Sequence, residues 1–391
     1  MLGAIMIWLT AEEALSILQT KPQTLYANVS RGRIRSKPLP DDPRRSLYRS
    51  EDVHRLAERR PGRKRDSVVA ADTIRWGGLP IMRSGISTIV DGRLLYRGRD
   101  AVELSETATL EEVAALLWQM NFDTSASNLD ETKLSRHQPQ SSPLERLFTV
   151  FAIRAANDLP SSGRSAAILQ QEAFALLQLF HNTILDVPSS SAPMHERIAS
   201  AWQKPRASDV IRRVLVLLAD HELNASAFAT RVAASTGAPL SAAVLAGLST
   251  LIGPRHGRAA TAATTIIAQA RQIGAEATIK DLLRQGAQFH LFGHPLYGET
   301  GGDIRASAML KHLELPAPYR DLEQSAADIL GEKPNVDFAL AAVTEIYGLP
   351  SDAPLLLFAL ARIAGWLAHA LEQADSGSLI RPRAEFTPPL E

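Results

Sequence analysis

Gly253-Pro254-Arg255-His256-Gly257, Phe292-Gly293-His294-Pro295 and Pro334-Asn335-Val336-Asp337-Phe338 stand in that order in the C-terminal half of the chain. Each sets one proton-handling side chain, His256, His294 or Asp337, at a break between stretches of helical pattern. Folding can bring two histidines and a carboxylate from such breaks into one cleft, and that set suits general acid–base chemistry on a carbon acid.

Each residue also has a plainer reading. His256 precedes Gly257 and an Ala/Thr/Ile-rich helix over about 259–270. The positive end of that helix disfavours an imidazolium, so a neutral ring there can donate to a developing enolate oxygen; the alternative is a capping histidine. His294 follows Gly293, where backbone can approach a ligand closely. Asp337 falls in the first turn of a helix beginning near Val336, where compensation of the dipole is the alternative to catalysis. Arg362 is the only formally charged residue in the apolar run 355–371, which reads as a buried helix too short for a membrane span. A buried guanidinium needs an anion, either a bound carboxylate or an Asp or Glu from elsewhere in the chain. His221, in Ala219-Asp220-His221-Glu222, sits at a helix boundary and alone reads as a structural histidine.

The 391 residues suffice for two or three domains, and 45% hydrophobic with 21% charged residues is a globular balance. No cysteine is present, which excludes disulfides, thiolate metal sites and a thiol nucleophile. The sequence shows no metal-ligand cluster, Gly-rich phosphate loop or internal repeat. The first ten residues lack the basic flank and cleavage site of a signal peptide, so a cytoplasmic protein with no membrane association is expected. Residues 84–97 alternate around Asp91-Gly92, a hairpin signal, and from Leu110 onward the chain reads as helices. Polar tracts at 123–143 and 188–193 read as loops.

Net charge is zero overall but uneven. Residues 1–65 carry fourteen Lys/Arg against seven Asp/Glu, and the remainder 28 against 35, a basic module on an acidic body. In the basic part, residues 9–19 form a helix with Thr10 as N-cap and Glu13 three residues later. A second helix runs from Gln23 to Ser30, a basic hairpin follows with its tip at 38–43, and Ser50-Glu51-Asp52 caps a third helix carrying Val53 and Leu56. Residues 59–67 read as a linker. This stretch resembles the MerR/excisionase type of winged helix-turn-helix. The resemblance implies that Gln23, Thr24, Tyr26 and Asn28 face the bases of duplex DNA, and that Arg31, Arg33, Arg44, Arg45 and Arg49 face its backbone. The alternative is a solvated helical cap.

The rest resembles the citrate synthase family. The ordered set is Ala-Asp-His-Glu at 219–222, Gly-Pro-x-His-Gly at 253–257, Gly-His at 293–294 with Asp-x-Arg at 303–305, and Pro-Asn-Val-Asp-Phe at 334–338. Ala-Arg-x-x-Gly-Trp-x-Ala-His at 361–369 and Ile-Arg-Pro-Arg at 380–383 complete it. The resemblance runs from about residue 84 to 384 and implies a mainly α, two-domain helical fold: a large domain of 66–255 and 344–391, a small one of 256–343, and the winged module of 1–65 in front. It implies a homodimer that condenses oxaloacetate with acetyl-CoA, or propionyl-CoA in the 2-methylcitrate variant, the acyl-CoA being co-substrate and no cofactor being permanently bound. Asp337 would take the acyl proton, His256 would stabilise the enolate, and His294 would protonate the keto oxygen. His221, Arg305 and Arg362 would hold the dicarboxylate, with Arg381 reaching in from the partner subunit. Three departures stand out. His294 and Arg305 are eleven residues apart, two more than is usual; Gly298 replaces a basic residue that meets CoA phosphates; Arg255 and Arg258 flank His256. The alternative reading is a DNA-binding regulator whose body senses a dicarboxylate or acyl-CoA.

Overall fold

Short-range rules set most element ends. The computed structural model describes residues 8–18, 22–30, 34–39, 42–50, 52–53, 82–120, 141–257, 259–286, 291–297 and 302–382. The chain divides into two compact units, Met1–Asp72 and Thr73–Glu391.

In the first unit, β1 (Trp8–Leu9) leads into α1 (Ala11–Leu18), α2 (Pro22–Ser30) and an antiparallel pair, β2 (Ser36–Leu39) and β3 (Asp42–Arg49). β3 is central, with Trp8 opposite Arg49 and Ser36 opposite Tyr48. Thr10 and Glu13 form the expected reciprocal cap, Thr10 N donating to Glu13 Oε2 at 2.8 Å and Glu13 N to Thr10 Oγ1 at 3.3 Å. Ala14, Leu18, Leu25, Ile34, Tyr48 and Val53 make a small core. Asp52, read from sequence as part of a helix cap, is buried and accepts from Arg35 Nε at 2.7 Å and Nη2 at 2.9 Å. Leu56, the linker 59–67 and most of the tract 123–143 lie outside the described residues.

The second unit opens with a three-stranded antiparallel sheet, β4 (Ser87–Val90), β5 (Arg93–Tyr96) and β6 (Arg99–Asp100). Asp91 and Gly92, both at positive φ (49° and 73°), make its first turn, the backbone that a two-residue hairpin demands. Helices follow: α3 (Ala101–Thr107), α4 (Leu110–Trp118), α5 (Pro143–Asn157), α6 (Ala166–Leu185), α7 (Met194–Ala201), α8 (Ser208–Leu218), α9 (Ala225–Ser235) and α10 (Leu240–Leu251). After them come α11 (Ala259–Ile273), α12 (Ala275–Arg284), α13 (Ile304–Leu310), α14 (Ala317–Leu330), α15 (Val336–Tyr347) and α16 (Ala353–Ser376). Capping boxes at Thr109/Glu112 and Ser142/Glu145 start α4 and α5.

α16 is long and apolar enough to cross a membrane, yet it is the axis of the main core, with Leu357, Leu360, Ile363, Trp366 and Leu367 fully buried. α4, α6, α8, α9 and α10 pack around it, which is why it is apolar on every side. A second apolar cluster gathers Ile267, Ile279, Tyr319, Leu322 and Phe338 from α11, α12, α14 and α15, with Phe292 from the segment after α12. α15 belongs to both clusters. Val336, Ala339, Leu340 and Val343 face the main core, while Phe338, Ala341 and Ala342 face the second. At about 100° per residue, Asp337 falls on the seam between these two faces.

Candidate active site

That seam opens into a cavity of about 660 Å³, lined by His221, His256, His294, Arg305, Asp337 and Arg362. Every one is delivered by an element end except Arg362, which projects from the middle of α16. His221 lies between α8 and α9, His256 between α10 and α11, and His294 after α12. Arg305 and Asp337 occupy the first turns of α13 and α15.

The hairpin of the second unit holds the His221 loop. Ser87 Oγ donates to Asp220 Oδ2 at 2.5 Å and accepts from Glu222 N at 2.9 Å; Ile89 N donates to Glu222 Oε1 at 2.7 Å. The Tyr96 hydroxyl sits within 3.0 to 3.2 Å of the carbonyls of Val216, Leu217 and Asp220. From the opposite side, Gly365 N and Arg362 Nε donate to the carbonyls of Ala219 and Leu218 at 3.0 and 2.8 Å. A Cβ on Gly365 would lie 2.4 Å from Asp220 Oδ1, so glycine there permits the contact of α16 with this loop.

The cavity keeps its histidines neutral. Burial lowers His256 to about 4, with the Arg362 charge adding to it, and lowers His294 to about 4, with Arg305 adding. Burial, then Arg305 and Arg362, hold His221 well below the ordinary range. The neutrality of His256, expected from the helix dipole, is caused here by burial and a nearby guanidinium. His294 Nδ1 accepts from Leu296 N at 3.2 Å, which places the ring proton on Nε2. His256 Nε2 lies 2.8 Å from Ser226 Oγ, which takes the Trp366 indole N–H at 3.1 Å and donates its own proton to Asn224 Oδ1 at 2.8 Å.

Asp337 is tuned the other way. Burial raises it to about 7 against the opposing pull of Arg305, so near neutrality it accepts a proton without being a permanent charge. Arg305 pairs with the cap of its own helix, donating to Asp303 through Nε at 2.9 Å and Nη2 at 2.8 Å. Burial opposes its charge, but the carboxylate prevails and its pKa is raised. Arg362, 1% exposed, stacks 4.7 Å from the Phe358 ring centre and is pulled down to about 10 by burial, with Asp220 opposing. Among the described residues its Nη2 has no acceptor, and no carboxylate pairs with it. A buried, unmet guanidinium donor on a cavity wall marks a place for an anion.

Arg381 is exposed in the stretch after α16 and lines no part of this cavity in its own chain. Arg255 does line it, whereas Arg258 and Gly298 lie outside the described residues. In the first unit Gln23, Thr24 and Tyr26 are exposed, Tyr26 to 56%, and the Asn28 amide donates to Thr24 O at 2.9 Å. Arg49 is half-buried on β3; Arg44 and Arg45 contribute backbone to the same strand, and Arg31 and Arg33 lie outside the described residues. Ser87, Tyr96, Ser226 and Tyr297 are partners of the site that the sequence did not single out, and Asp303 stood there only as part of Asp-x-Arg, without a role. Asp303, two residues before Arg305, caps the helix that carries it.

A family model described as citrate synthase, C-terminal domain, matches residues 76–383. Citrate synthase 2 of Bacillus subtilis is 30% identical over 359 residues, spanning 80% of this chain and 95% of that protein. The 2-methylcitrate synthase 2 of Corynebacterium glutamicum is 29% identical over 339 residues, spanning 75% and 88%. The crystal structure of citrate synthase from Thermotoga maritima superposes with a TM-score of 0.66 at 24% identity, over 81% of this chain and 97% of that one. Thermoplasma acidophilum citrate synthase, solved in a ternary complex with carboxymethyl coenzyme A and oxaloacetate, superposes at 0.63 and 23% identity, over 80% and 94%.

Proposed function

The chain belongs to the citrate synthase family, and from that premise we propose that it condenses an acyl-CoA with a keto dicarboxylate of the oxaloacetate type. The observation that carries the reading is a carboxylate poised near 7, Asp337, in one cavity with three neutral histidines. Asp337 removes a proton from the carbon next to the thioester carbonyl. His256 stabilises the enolate that forms. The enolate carbon attacks the keto carbon, and His294, protonated on Nε2, donates to the oxygen that takes up the electron pair. Water then cleaves the thioester and releases CoA. Arg362 meets one carboxylate with its unpartnered Nη2; His221 and Arg305 lie on the same wall, and Arg381 of a second copy supplies the remaining charge in a homodimer. The second apolar cluster supports reading 256–343 as the smaller domain, closing against 66–255 and 344–391 with α15 as the shared element.

The test is thiol release from acetyl-CoA and from propionyl-CoA, with and without oxaloacetate. Release that depends on oxaloacetate is expected, and the faster donor names the reaction as citrate or 2-methylcitrate formation. No release with either donor would sink the proposal.

A second reading concerns residues 1–65. Two helices followed by an antiparallel hairpin, with Gln23, Thr24 and Tyr26 exposed on the second helix, support a winged module that reads duplex DNA. Under that reading the cavity senses its ligand for a regulator.

A further inference from the structure

Tyr297 closes the turn that begins at His294, its N–H donating to His294 O at 3.0 Å. It is fully buried, and its ring stands among the groups of the keto-acid wall. The His294 ring centre is 5.0 Å away, that of His221 5.7 Å, and the Arg305 guanidinium carbon 5.8 Å. Its hydroxyl oxygen lies 3.0 Å from His221 Nε2. His221 and His294 themselves meet edge to face at 5.1 Å.

We propose that Tyr297 is a positioning residue that sets the tautomer of His221: its phenol donates to Nε2, which leaves the imidazole proton on Nδ1 as a donor for the keto acid. This rests on the condensing-enzyme reading. A keto dicarboxylate offers acceptors at every oxygen, so a neutral histidine that binds it must present its one proton and needs a donor behind its other nitrogen. The phenol suits that task, because burial raises it to about 12 and it stays protonated throughout the neutral range. His294 obeys the same logic with a backbone donor, Leu296 N. One turn, 294–297, thus orients both imidazoles: Leu296 sets the proton of His294 and Tyr297 that of His221.

Tyr297→Phe keeps the ring and removes only the donor. In 15N-histidine spectra of the unliganded wild-type protein, His221 should carry its proton on Nδ1 with Nε2 bare and hydrogen-bonded. In the variant the Nε2 signal should shift towards a mixture of tautomers, with the melting temperature held. Calorimetric affinity for oxaloacetate and its KM should weaken about tenfold, while the KM for acyl-CoA stays within twofold. A wild-type His221 protonated on Nε2, or a variant with unchanged oxaloacetate affinity, would overturn the role of Tyr297 alone. Wild-type protein that binds no oxaloacetate would overturn the condensing reading and, with it, the purpose assigned to the tautomer.

Discussion

Asp337 keeps its proton up to about pH 7 in the fold, whereas a free aspartate loses it near 3.8. Between those values the folded state holds a proton that the unfolded chain has released, so this group lowers stability as pH rises through the window, and its cost is complete above 7. Asp337→Asn should therefore raise the melting temperature by about 2–4 °C at pH 8 and leave it unchanged at pH 4. Turnover should move in the opposite direction, falling about 10²–10⁴-fold while oxaloacetate binding survives. Wild-type turnover should decline with acidification through an apparent pKa near 7, as the base becomes protonated. A flat pH profile, or an Asn variant with near wild-type turnover, would remove Asp337 from the chemistry. His256 and His294 work with the opposite sign. Both are depressed to about 4, so the stability they support is present above the ordinary histidine value and lost as pH falls towards 4.

At the scale of elements, the site depends on α16 lying against the loop between α8 and α9. Gly365→Ala would set a methyl 2.4 Å from Asp220 Oδ1 and 2.5 Å from Ala219 O, and a buried carboxylate and main chain cannot simply turn away. We expect a loss of about 2–4 kcal/mol in denaturant unfolding. Oxaloacetate affinity should drop with it, because His221 and Arg362 are carried by the two surfaces forced apart. Ser142→Ala is the contrasting case. It removes the side-chain cap of α5, away from the cavity, and should cost about 1 kcal/mol with affinity unchanged. Equal effects of the two variants on affinity would show that the site responds to general loosening and not to this contact.

For the whole molecule, the proposed homodimer has Arg381 completing the site of a second copy. Inactive Arg381→Ala chains mixed with inactive Asp337→Asn chains should recover part of the activity, since some mixed dimers then hold one site with both residues intact. Recovery failing despite demonstrated subunit exchange would argue for a site confined to one chain. Removal of residues 1–65 should abolish retardation of duplex DNA and spare condensation, and the full chain should bind DNA less tightly as salt rises. A full chain that ignores DNA even at low salt, with a truncated chain that unfolds, would make the basic unit a structural cap.

Much of the helix and hairpin scaffold was legible in the residues because its causes act over two to four positions. Examples are the caps at Thr10 and Glu13, the Asp91-Gly92 turn, the start of α15 beside Asn335, and an apolar run with one arginine that had to be buried. The breaks that carry His256, His294 and Asp337 were legible for the same reason. Tertiary structure alone decided what those residues became. The value near 7 for Asp337 comes from burial on the seam of a helix shared by two apolar clusters, and no local pattern states which clusters meet. Ser87 reaches Asp220 across 133 positions, Tyr297 reaches His221 across 76, and Arg362 leans on Leu218 across 144. Hydrogen bonds of that reach exist only once the chain has closed, and charges and tautomers follow from them.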